Sequence, residues 1–141
     1  MLLDQRACTY GPHVLGAQVG QKVTFLNSDP VFHNVRTIAK DNPPFNEAMA
    51  TKDMRLTKTF GRPEIMVNAK CDVHPWMSSF IGVVAHPYFA VSNERGEVTL
   101  QNVPAGEHTV AAWHELFGKV TAKVKVEPKE TAKVDLALKG E

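Results

Sequence analysis

The chain has 141 residues, with 16 Lys and Arg against 15 Asp and Glu and a formal net charge of +1. Acids and bases are scattered, so the sequence offers neither the basic stripe of a nucleic-acid binder nor the charged block of a tail. No apolar run approaches the ~18 residues of a membrane span, and the length suits one domain or two small ones with a real core. Two cysteines fit either redox compartment. Met1-Leu2-Leu3 is far too short for a secretory signal, and the expectation is a mature domain that has lost its leader.

From Ala7 to Asn27 the pattern reads strand, turn, strand. Gln18-Val19-Gly20-Gln21 is a turn signal, and Lys22 to Leu26 has the β-branched and aromatic content of a half-buried strand. Asn27-Ser28-Asp29-Pro30 closes it, since Asn, Ser and Asp bond their own backbone and Pro fixes φ. Phe32 to Ile38 is the next expected strand, with His33 near its beginning, and Asp41-Asn42-Pro43-Pro44 breaks the chain again. Residues 45–58 have helix-forming composition, but their apolar positions follow neither period, which predicts an excursion with one helical turn. Thr59-Phe60 and Glu64 to Asn68 are short expected strands, the second delivering the chain to Cys71, and Phe80 to Val84 leaves as a strand.

Beyond Val84 the pattern changes. Strands are expected at 89–91, 97–100, 108–113, 119–126 and 131–138, separated by Asn93-Glu-Arg-Gly96, Pro104-Ala-Gly106, Phe117-Gly118 and Glu127-Pro128-Lys129. Such short alternating strands predict an all-β chain that ends in a second small β-sandwich. No Gly/Ser/Pro linker separates Val84 from His86-Pro87, so the two parts are expected to pack on each other.

The densest chemistry lies in Cys71-Asp72-Val73-His74-Pro75-Trp76-Met77. A thiolate, an imidazole and a thioether are spaced there so that one short loop can present all three to one metal ion. Thiolate and thioether select copper by softness, and a His2Cys plane with a weak axial Met describes a blue-copper electron-transfer centre. The loop supplies one imidazole. The second must come from elsewhere, and His33, in Val31-Phe32-His33-Asn34-Val35, is the candidate.

These residues resemble the cupredoxins, most closely the amicyanin and pseudoazurin branch, whose ligand loops have the CxxHxxM or a slightly longer form. Three matches carry the resemblance: Tyr10-Gly-Pro12 followed by Val19-Gly20-Gln21-Lys-Val23-Thr-Phe25-Leu-Asn27, the dipeptide His33-Asn34, and the loop with Pro75 directly after its histidine. The likeness covers about residues 5–85. It implies a cupredoxin-like Greek-key β-sandwich over 1–85 in an exported protein, bacterial and periplasmic, that is no enzyme. One copper per chain would be held by His33, Cys71, His74 and Met77. Redox partner proteins would dock near His74, on a patch made by Pro75 and Trp76, with no role for nucleic acid or a membrane span. Asn34 would tie its strand to the cysteine loop. The string Gly96-Glu-Val98 to Val103-Pro104-Ala105-Gly106-Glu-His-Thr-Val is similar to the carboxypeptidase regulatory-like, or prealbumin-like, repeat, which assigns 86–141 to such a module.

Each residue has a plainer reading. Cys71 is otherwise a buried thiol or a disulfide partner of Cys8, Met77 a core filler, and His33 a satisfied core histidine. Cys8 and His13 depart from the cupredoxin pattern. For Cys8 the favoured reading is an inert small hydrophobe, beside a disulfide or a ligand to the same or a second metal. Cys8, Cys71, His33 and His74 also make a Cys2His2 zinc set. His86 and Trp113-His114-Glu115 suit a second His/carboxylate site if their strands adjoin, although a surface reading is preferred. No hydrolase elbow, HExxH or phosphate loop is present. The rivals to electron transfer are therefore a copper carrier or sensor and a structural zinc module.

Overall fold

A computed structural model describes residues 1–138, and every regular element in it is a β-strand. The last three residues of the expected 86–141 module lie outside the described range. No helix is long and apolar enough to cross a membrane. The chain divides into two compact units, Met1–Val98 and Thr99–Glu141.

In the first unit, β1 (Leu2–Arg6), β2 (Thr9–Gly11), β4 (Lys22–Asn27) and β7 (Arg55–Thr59) form a four-stranded sheet in the order β2-β1-β4-β7. A five-stranded sheet, β3-β9-β8-β5-β6, is made from β3 (Val14–Gln18), β5 (His33–Ile38), β6 (Asn46–Met49), β8 (Glu64–Lys70) and β9 (Ser78–Val84). Alternate residues of both sheets meet in one core. Leu3, Val23 and Phe25 come from the first sheet, and Leu15, Val35, Met49, Val67, Ala69, Ile81 and Val83 from the second. This is the two-layer packing that period-2 strands require, each sheet burying one face against the other.

Two pairings are parallel, β1 with β4 and β3 with β9, and the rest are antiparallel. The Gln18–Gln21 turn closes through the Gln21 amide and the Gln18 carbonyl at 2.9 Å, with Gly20 at φ +81° where a side chain would be strained. Gly16 serves close approach instead: a Cβ there would stand 2.5 Å from the Phe89 ring, which packs over β3.

Two expectations need correction. Residues 45–58 contain no helical turn; they form β6 and the start of β7, both edge strands. The helix-forming residues lose to pairing, because β6 hydrogen-bonds along β5 from His33↔Met49 to Arg36↔Asn46. Beyond Val84 only two of the five expected strands form, β10 (Gly106–His114) and β11 (Gly118–Val126). They make a two-stranded antiparallel hairpin with register from Gly106↔Val126 to His114↔Gly118. The Asn93–Gly96 turn does form, the Gly96 amide donating to the Asn93 carbonyl at 2.9 Å, yet the residues flanking it are not strands. Alternation states which face a strand would bury; it does not supply the neighbour that makes it a strand. A sandwich over the second part is therefore not established.

Candidate metal centre

The ladder between β5 and β8 runs to Arg36↔Lys70, and Lys70↔Ser78 is the last pair of the β8–β9 hairpin. Residues 71–77 thus form a loop at the end of a hairpin. Because β5 is antiparallel to β8, its earlier residues, Asn34 and His33, continue alongside that loop. Asn34 replaces the backbone ladder there. Its Oδ1 accepts from the Asp72 amide at 2.7 Å, and its Nδ2 donates to Asp72 Oδ2 at 2.9 Å and to Asn46 Oδ1 at 2.9 Å. Arg36 Nε donates to the other Asp72 oxygen at 2.8 Å. The Arg36 hydrogen bond, helped by those of Asn34 and Asn46, holds the Asp72 carboxyl below its usual range despite some desolvation. The loop is further closed by the Met77 amide on the His74 carbonyl at 2.9 Å.

His33 is fully buried. Its Nε2 lies 2.7 Å from Asp29 Oδ2 and its Nδ1 lies 3.1 Å from His74 Nδ1. Asp29 also accepts the Ala7 and Cys8 amides at 2.8 and 2.9 Å. Burial pushes the Asp29 carboxyl up, but the hydrogen bonds from Cys8, His33 and Ala7 outweigh it and leave it below its usual range. An ionised Asp29 can only accept, so Nε2 of His33 is the nitrogen that donates to it, and Nδ1 is the atom left facing His74. In sequence Asp29 reads only as a loop former; a carboxylate four residues before a candidate ligand histidine is the signal that could have found it.

Cys71 is buried, and its Sγ is 3.9 Å from His74 Nδ1. Met77 is also buried and belongs to the core. Tyr10, buried beside them, donates its hydroxyl to the Asn34 carbonyl at 2.8 Å. Burial first, and then the charges of Cys71 and Asp72, push its pKa up strongly, so it remains a neutral donor. His74 is half-buried, its ring edge-on to Trp76 at 5.1 Å between centroids. Trp76 is 64% exposed, and Pro75 is exposed too.

The two imidazoles are close enough to share one small cation. At a metal–nitrogen bond of about 2.0 Å, two nitrogens 3.1 Å apart subtend roughly 100° at one ion, a near-tetrahedral angle. The ligand atoms of Cys8, His33 and His74 all lie within 4.8 Å of one another. Cys8 and Cys71 are free thiols, so the disulfide alternative is not what the fold contains. Cys71 is not a member of that group of three, and neither is His13, which is exposed just before β3 with its ring against Phe80 at 5.6 Å. His86 and His114 are engaged locally. Each accepts a nearby backbone amide at Nδ1, from Tyr88 at 3.1 Å and from Leu116 at 3.0 Å.

No protein-family model matches the chain, and no curated protein matches it either. Solved structures do. A purple cupredoxin from Nitrosopumilus maritimus is 25% identical, with a TM-score of 0.50 over 58% of this chain and 97% of that one. A reduced tryptophan-to-tyrosine mutant of amicyanin is 25% identical, with a TM-score of 0.53 over 59% of this chain and 80% of that one. A copper-containing nitrite reductase from Thermus scotoductus SA-01 is 26% identical at a TM-score of 0.54, over 59% of this chain and only 22% of that enzyme. These structures are an amicyanin, a cupredoxin and a copper-containing nitrite reductase, and the likeness is to their shared fold.

Proposed function

We propose that the centre holds one copper ion per chain between His33 Nδ1, His74 Nδ1, the Cys71 thiolate and Met77, and that the protein carries single electrons and transforms no substrate. The observation that carries this reading is the pair of facing Nδ1 atoms 3.1 Å apart with Cys71 Sγ 3.9 Å from one of them. Copper, when bound to such donors, supplies a Cu(II)/Cu(I) couple.

The chain's own residues do the rest. Asp29 fixes the His33 tautomer, and Asn34 locks the loop through Asp72. Burial of Cys71 and Met77 keeps water away from the sulfur donors, so the ligand geometry is held in common for both charge states. On metal binding the Cys71 thiol would give up its proton to solvent and serve as a thiolate donor. His74 reaches towards the surface beside exposed Pro75 and Trp76, which suits transfer through its outer edge to redox partner proteins docked on that patch. Export to the periplasm, and a copper domain over 1–85 followed by a regulatory-like module over 86–141, belong to the same proposal.

Visible absorption tests it. Copper-loaded protein should bind one ion per chain and show an intense thiolate-to-copper band that Cys71→Ser removes, with a reversible midpoint potential. A carrier or sensor would lack the reversible couple. Colourless copper-loaded protein with an unchanged thiol titration, or zinc retained against excess copper, would sink the electron-transfer reading.

A further inference from the structure

Cys8 occupies the two-residue turn between β1 and β2, where Arg6 pairs Thr9. Both turn residues have left-handed backbone, Ala7 at φ +52° and Cys8 at φ +55°. A two-residue hairpin of this kind normally takes Asn-Gly, because side chains resist positive φ. Ala-Cys is a poor choice for the turn and has to be held there. Asp29 accepts both amides, at 2.8 and 2.9 Å, and Trp76 Nε1 donates to the Cys8 carbonyl at 2.6 Å. The same two residues contact the imidazoles, Asp29 bonding His33 and Trp76 packing on His74. The backbone of the turn is thereby fixed relative to both rings, and Sγ lies within 4.8 Å of a nitrogen of each.

We infer that Cys8 is a second thiolate ligand of the ion held by His33 and His74. The inference rests on reading that cluster as a metal centre, and it replaces the inert-packing role that the sequence favours for this residue. On binding, the Cys8 thiol loses its proton to solvent and its sulfur joins the ion beside Cys71. Two thiolates neutralise a divalent ion, whereas a monovalent one would leave a net negative charge in a partly buried site. Cys8 therefore favours Cu(II) over Cu(I) and lowers the reduction potential. The resulting set of two thiolates and two imidazoles, with the Met77 thioether as a weak fifth donor, also suits divalent ions such as Co(II) and Zn(II).

The test uses the full chain, reduced and loaded with Co(II) alone, with alkylation of each cysteine mapped by mass spectrometry. In wild type both Cys8 and Cys71 should be protected by the metal. The thiolate-to-cobalt absorption should fall by about half in Cys8→Ser, as two thiolates become one. The copper form of Cys8→Ser should have a higher potential than wild type. Free alkylation of Cys8 in the loaded wild-type protein overturns the inference without needing any variant to fold, and so does an unchanged cobalt band in folded Cys8→Ser. Loss of cobalt binding confined to Cys8→Ser, with Cys71→Ser unaffected, would uphold Cys8 as a ligand and refute the centre proposed around Cys71.

Discussion

Two carboxylates in this fold do the same local work with different consequences. Asp29 gathers the Ala7 and Cys8 amides at 2.8 and 2.9 Å, and Glu64 gathers those of Lys40, Asp41 and Asn42 at 2.7, 3.1 and 3.0 Å, with the Asn42 side chain at 3.1 Å. For each, burial raises the pKa and the hydrogen bonds more than reverse it, so both are held below the usual carboxylate range. The difference is one further contact: Asp29 also holds the buried His33. The contrast teaches that the device is generic, a carboxylate pinning a loop of backbone donors, and that Asp29 differs by adding a buried imidazole to its partners.

The largest expected effect follows from removing the shared carboxylate. Asp29→Ala strands the His33 donor in the interior together with two partly buried amides, at a cost of about 3 kcal/mol or more in unfolding free energy. Asp29→Asn is the sharper variant, since it keeps the volume and removes the charge that fixes the tautomer. It should stay folded while metal affinity falls by roughly 10- to 100-fold, the usual consequence of losing a partner behind a ligand histidine. Metal titration beside urea unfolding checks both, and an Asp29→Asn protein with wild-type affinity would break the comparison by making the two carboxylates equivalent.

Glu64→Gln should cost less, about 1 kcal/mol, because the Lys40 and Asp41 amides are exposed and can turn to water. It should leave any metal spectrum unmoved. The pH dependence has a definite sign. Since the folded pKa of Glu64 is depressed, its stabilisation is present above the unfolded value of about 4.3 and is lost as pH falls through the folded one. The stability gap between wild type and Glu64→Gln should therefore be open at neutral pH and close in acid. A gap that widens on acidification would contradict the hydrogen-bond account of this loop.

How much of this the sequence disclosed depends on whether the information was local. Lys22 to Leu26 and Phe80 to Val84 read as strands because their alternation matches a two-layer core, and both are strands. Cys71, His74 and Met77 stand out in the sequence because they lie within seven residues, and the fold brings Cys71 Sγ to 3.9 Å from His74 Nδ1. The hairpin turn at Ala7-Cys8 was not legible, since Ala and Cys carry no turn signal; Asp29, more than twenty residues away, holds them there. Likewise 131–138 alternates well and still is no strand. Pairing and capping by distant residues decide such segments, and neither is written in the segment itself.

The smallest expected change is at Trp76, where it refines the role of the Asp29 side of the comparison. With 64% of its surface exposed, Trp76→Ala removes little packing, and stability should fall by less than about 1 kcal/mol. What it does remove is the indole donor on the Cys8 carbonyl and the ring against His74. Asp29 still holds the two amides of the turn, so the turn should persist but loosen, and Cys8 in the apo-protein should alkylate faster than in wild type. Trp76→Phe separates the two contacts, since it keeps a ring beside His74 and has no N–H. If the hydrogen bond is what steadies the turn, Phe and Ala variants should alkylate alike; if ring packing steadies it, Phe should behave as wild type. Equal rates in all three proteins would mean that Asp29 alone fixes the turn and that Trp76 belongs only to the outer surface.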